Sequence, residues 1–138
     1  MKLYNYEVES FAEFLLSLEL GGKQSRMRTK LCKVLVDRIK EVDDDRLSLA
    51  KEFALKEKDG ETPISEALDD GRTVFKIDDE EGFSREYNVL MREEFIIENT
   101  EDKKDMLETV KEAILNTNQV FSGQSALQYD RWCEIVED

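Results

Sequence analysis

Histidine is absent from this 138-residue chain. That removes histidine general acid–base catalysis, Ser–His and Cys–His nucleophile pairs, and most zinc sites. Cysteine occurs only as Cys32 and Cys133, too far apart in sequence to form a metal clip. Both fall on apolar helical stripes and read as buried reduced thiols, which suits a cytosolic protein; a disulfide between them would need adjacent helices. One proline and six glycines argue against disorder and against a sandwich of many tight turns. No run approaches the ~18 apolar residues of a membrane span. The opening MKLYNYEVE lacks the apolar region of a signal peptide. Nor is there a phosphate-cradling glycine loop, since Gly21-Gly22-Lys23 reads as a helix stop followed by a base. No metal, no cofactor and no catalysis are expected.

Positive charge is in short supply. Twenty Lys and Arg face 33 Asp and Glu, for a net charge of −13. Such a chain repels nucleic acid and anionic membrane unless a local basic patch overrides the net field, so direct binding to either is not expected. The acidity serves solubility, or else it mimics nucleic acid or docks on a basic partner. The acidic runs do not suggest an ion site. Asp43-Asp44-Asp45 and Asp78-Asp79-Glu80-Glu81 lack the alternating oxygens of a calcium loop, and consecutive acids on a helix point in different directions.

What the chain does have is one long amphipathic stretch, from Gly21 to Lys58. Leu31, Leu35, Ile39, Val42, Leu49 and Phe53 recur there at helical spacing, with Arg46 the polar exception on the seam. A helix from about Lys23 to Lys58 would be roughly 50 Å long at ~1.5 Å per residue, so other elements or a partner must pack along it.

Around it the pattern predicts shorter elements. Tyr4, Tyr6 and Val8 alternate as in a short strand over residues 2–8. Ser10 and Glu13 form a capping box before Phe11, Phe14, Leu15 and Leu18, and Gly21-Gly22 stops that helix. Residues 62–68 and 72–77 flank Asp70-Gly71 as a hairpin with a two-residue turn. Asp78 and Glu81 cap a helix whose apolar face is Phe83, Tyr87, Leu90 and Met91. Phe95-Ile96-Ile97 reads as a strand. Thr100 caps a helix burying Met106, Leu107, Val110 and Ile114. After Asn116-Thr117-Asn118, Ser122-Gly123 opens a last helix with Ala126, Tyr129, Cys133 and Val136 inward and Trp132 near its edge. The fold class is α+β, mainly α: about five helices packed along one long helix, with a small hairpin and one or two short strands, in a single domain spanning residues 1–138.

The run GGKQSRMRTKL, the long charged helix after it, and the ending LNTNQVFSGQSALQYDRWCEIVED resemble a family of small acidic proteins of unknown function. Those proteins come from tailed phages and prophages of Gram-positive bacteria. The resemblance covers nearly the whole chain and rests on structural rather than chemical motifs. It implies a late gene near the tail and lysis genes, and an accessory or virion role in the host cytoplasm or with the virion. It supplies no catalytic or binding residues.

Candidate partner-binding residues therefore come from the chain itself. Lys23, Arg26, Arg28, Lys30 and Lys33 gather at the head of the long helix, where positive charge opposes the helix dipole. They either pair internally with acidic segments such as Glu93-Glu94, which we expect to be their larger role, or grip carboxylates or phosphates of a partner. Trp132 and Tyr4 read first as core and second as contact anchors. The function expected is that of a non-enzymatic phage accessory or structural protein, bound to a protein partner or to itself. The alternative is an acidic inhibitor of a host nuclease or defence protein.

Overall fold

The computed structural model describes all residues from Met1 to Asp138. The elements in chain order are β1 (Lys2–Tyr4), α1 (Asn5–Ser17), α2 (Gly22–Glu52), β2 (Ser65–Ala67), β3 (Thr73–Phe75), α3 (Glu80–Met91), β4 (Glu94–Ile96), α4 (Glu101–Leu115) and α5 (Gln124–Glu137). This is the mainly helical α+β architecture that the sequence predicts. The chain, read from its sequence as one domain, divides into two compact units. One comprises Met1–Ile39 with Glu94–Asp138, the other Lys40–Glu93, and α2 runs through both. No linker rich in proline, glycine or serine marks either junction.

In the first unit the core is built from Leu3, Val8, Phe11, Leu15, Leu31, Leu35, Ile97, Val110, Ile114, Trp132 and Ile135. Strand β1 pairs antiparallel with β4, Lys2 opposite Ile96, Leu3 opposite Phe95 and Tyr4 opposite Glu94. The pleat sends Leu3 into the core and leaves Lys2 and Tyr4 outside. The predicted strand over residues 2–8 is thus half a strand. Helix α1 begins at Asn5, not at Ser10, because Glu7 Oε1 accepts the Tyr4 N–H at 2.9 Å and satisfies an orphan amide there. It also ends early, at Ser17, and Gly22 belongs to α2. The reason is chemical: Ser17 Oγ donates to Phe14 O at 2.6 Å, and Arg28 covers the carbonyls beyond it. On α4 the predicted face holds, with Met106, Leu107, Val110 and Ile114 all buried.

In the second unit α2 stops at Glu52, six residues short of the expected end. The backbone that follows is claimed by neighbouring chain. Leu55 N–H donates to Lys76 O at 2.8 Å, and Ile64 N–H donates to Leu55 O at 2.8 Å. Strands β2 and β3 pair with Ser65 opposite Phe75 and Ala67 opposite Thr73, as the hairpin reading requires. The turn differs. Leu68 N–H reaches Arg72 O at 2.7 Å and Gly71 N–H reaches Leu68 O at 3.0 Å, so the loop is three residues, Asp69 to Gly71. Gly71 takes φ +87°, the left-handed position that closes such a loop. The buried side chains of this unit are few and small: Val42, Ala50, Ala54 and Leu90.

Asp79, rather than Asp78, caps α3, its Oδ1 accepting the Gly82 N–H at 2.9 Å. Asp78 is already engaged through its own N–H, which donates to Phe53 O at 2.8 Å. A methyl group at Gly82 would lie 2.3 Å from Asp79 Oδ2 and 2.8 Å from Phe53 Cε1. Gly82→Ala is therefore expected to break the cap and cost about 1–2 kcal/mol, although alanine is the better helix former. Chemical denaturation of the variant checks this, and an equal or higher midpoint would refute the cap's role.

Candidate interaction surface

The basic head of α2 does not act as one group. Lys23 Nζ sits 2.8 Å from Asp105 Oδ1 of α4, with both side chains more than half exposed, so the pair contributes little to stability. Arg28 is half-buried and reaches across to the end of α1. Its Nη1 donates to Leu15 O at 2.8 Å and to Leu18 O at 2.7 Å, and its Nη2 donates to Ser25 Oγ at 3.3 Å. It is a cation at a helix C-terminus, where the dipole and the orphan carbonyls both favour one. Its Nε is buried without a hydrogen-bond partner, the one such side-chain atom in the chain. Burial pushes the nearby Cys32 thiol above its ordinary value, against the opposite pull of the Arg28 charge.

The remaining three, Arg26, Lys30 and Lys33, are exposed and form no ion pair or hydrogen bond within the chain. They lie four and three residues apart, which aligns them along one side of α2. The cluster thus divides into an internal part, Lys23 and Arg28, and an open stripe of three. The acids that the internal part uses are not Glu93-Glu94, which enter no ion pair. Arg46, on the seam of the same helix, is exposed with Asp43 3.8 Å away.

Trp132 is not a surface anchor. It is 5% exposed, its ring centroid 5.2 Å from that of Phe11 and 6.2 Å from that of Phe14. The helical stripe of α5 is rotated from the predicted one: Trp132, Ile135 and Val136 are buried, whereas Ala126, Tyr129 and Cys133 are half-buried. The second aromatic candidate, Tyr4, is partly exposed and stacks on Tyr6 with centroids 5.5 Å apart. Both cysteines are free thiols. Tyr129 donates its hydroxyl to Ile114 O at 2.7 Å, and burial together with the neighbouring Cys133 pushes its phenol up to about 12.

The sequence reading missed the polar contacts that hold α1. Arg131 grips Glu7 with two parallel bonds, Nε to Oε2 at 2.7 Å and Nη2 to Oε1 at 3.0 Å, and also reaches Glu134 at 3.2 Å. Burial pushes the Glu7 carboxyl up, but the bonds from Arg131 and Tyr4 N–H and the Arg131 charge outweigh it, and the net shift is downward. Beside it, the buried Asn5 Oδ1 accepts from Arg38 Nε at 2.9 Å, and the Arg38 guanidinium lies 5.1 Å above the Phe95 ring.

An open cavity of about 430 Å³ lies at the C-terminal ends of α1 and α4, between Leu18, Leu20, Gln24, Glu112, Asn116 and Gln119. No lysine, arginine or cysteine lines it. Nowhere do three or more Asp, Glu or Cys side chains converge as metal ligands would. No helix is long and apolar enough to cross a membrane. No family model, curated protein or solved structure matches the chain.

Proposed function

We propose that this chain is a non-enzymatic accessory or structural protein of a tailed phage that works through protein–protein contacts along α2. Its place of action is the host cytoplasm or the virion. The observation that carries this reading is the exposed stripe of Arg26, Lys30 and Lys33, which has no internal partner in a chain of net charge −13. Their side chains meet no acid within the chain, so the fold gains no ion pair from them. Arginine and lysine in a row suit carboxylates on a partner, and the phage assignment draws on the resemblance of GGKQSRMRTKL and the C-terminal run.

The test is a triple substitution, Arg26→Glu, Lys30→Glu and Lys33→Glu. Because the three side chains are exposed and pair with nothing in the chain, the melting temperature is expected to hold. Recovery of virion or other phage proteins by the tagged chain from producing cells is expected to be salt-sensitive in the wild type and lost in the variant. Unchanged recovery would overturn the stripe's role, and a fallen melting temperature would return it to the fold.

A second reading has its own support. Residues 40–93 hold nine Lys and Arg against seventeen Asp and Glu, so most of the excess acid lies in the second unit. An acidic inhibitor of a host nuclease or defence protein would present such a surface in place of nucleic acid. Recovery of a host nuclease instead of phage proteins, with inhibition of its activity, would favour it.

A further inference from the structure

Within the second unit, α2 and α3 line an open groove of about 320 Å³. Leu49 on α2 and Val89 and Leu90 on α3 lie among four carboxylates: Asp45 and Glu52 on α2, Glu86 on α3, and Glu93 just past its end. Seven residues separate Asp45 from Glu52, about 10 Å along α2, with Leu49 between them. Leu49, Val89 and Leu90 form an apolar floor, and Val89 is 56% exposed. No lysine or arginine lines the groove, and none of the four carboxylates has an ion-pair partner.

We infer that this groove receives an amphipathic basic helix of a protein partner. An apolar stripe on the incoming helix covers Leu49 and Val89, and lysine or arginine side chains two turns apart on its flanks meet the carboxylates at either end. The charge alone would attract any cation, but the floor selects: a metal ion or a short polyamine leaves Val89 in water, whereas a helix with a leucine stripe removes it. Asp45 and Glu52 lie along α2, Glu86 on α3 and Glu93 beyond its end, and no three of them converge as ligands of one ion would. Nucleic acid is repelled by the same charges. This inference concerns a different surface, and a partner of opposite charge, from the Arg26–Lys33 stripe, and it stands if that stripe proves idle.

The probe is a labelled helical peptide of about four turns, with leucines on one stripe and lysines on both flanks. Its binding to the full chain is followed by fluorescence anisotropy. Val89→Asp is the decisive variant, because it adds negative charge while removing the apolar contact. Binding is expected to weaken at least about tenfold for Val89→Asp, and similarly for Glu86→Lys combined with Glu93→Lys. The control pair Glu61→Lys with Asp69→Lys, outside the groove, should change it less than about threefold. Circular dichroism checks that each variant is folded. Several results would overturn the proposal: no binding by the wild type, equal or tighter binding by Val89→Asp, or equal binding of a scrambled peptide with its leucines dispersed. A wild-type dimer that Val89→Asp splits in light scattering would assign the groove to a second copy of this chain and overturn it too.

Discussion

Trp132→Ala is expected to lower the unfolding free energy by about 3–5 kcal/mol. The indole is buried against Phe11, itself 0% exposed, and Phe14, so its removal opens a cavity where the first unit is best packed. Urea denaturation followed by circular dichroism measures the loss directly. In the wild type, Trp132 is the sole tryptophan, so its emission should be blue-shifted when folded and should move to the red on unfolding. If Trp132 were a contact anchor instead, alanine would change stability by less than about 0.5 kcal/mol, as surface substitutions do.

The second large effect belongs to the Glu7–Arg131 pair. Arg131→Ala leaves a carboxylate whose side chain is 9% exposed without its two charged bonds, and should cost about 2–4 kcal/mol. Arg131 is itself 36% exposed, which keeps the cost below that of a fully buried pair. Acid should erase the effect. The folded Glu7 carboxyl titrates below its unfolded value, so the pair's contribution is complete above the ordinary glutamate range and is lost as pH falls through the folded value. Denaturation midpoints of wild type and Glu7→Gln, compared at neutral pH and at progressively lower pH, should therefore converge. A gap that stayed constant through acid would mean that the Glu7 charge is not what stabilises α1.

These two sites also mark what could and could not be read from the sequence. Periodicity gave the buried face of α4, because Met106, Leu107, Val110 and Ile114 follow the helical repeat and nothing competes with it. The β-branched and aromatic run at Phe95-Ile96-Ile97 and the turn signal at Asp70-Gly71 likewise marked real strands. The larger misreadings share one cause, which is a partner distant in the chain. Asn5 and Glu7 looked like the polar half of an alternating strand; their partners Arg38 and Arg131 are 33 and 124 residues away. Arg28 looked like part of a basic patch until the carbonyls of Leu15 and Leu18 were seen beneath it. The end of α2 was set by strands that had not yet appeared in the chain. Of the candidate surface, the sequence indicated the cations but not their division, and it gave no sign that Asp45, Glu52, Glu86 and Glu93 line one groove.

The pairing of β1 with β4 has a consequence for how the molecule is made. Met1 O accepts the Ile97 N–H at 2.8 Å, and the Met1 amino group donates to Ile97 O at 3.1 Å, so the first unit cannot close before residue 97 has been synthesised. The second unit, Lys40–Glu93, is synthesised in full before that point. During translation its hairpin and α3 can form while the first strand still waits, its apolar Leu3 and Val8 unprotected. Once the second unit is compact, the loop that β1 and β4 must close is shorter in effect than its residue count, and its entropic cost falls accordingly. The pairing of β1 with β4 is thus a long-range contact of the kind that slows folding, and its formation waits on the synthesis of the whole second unit.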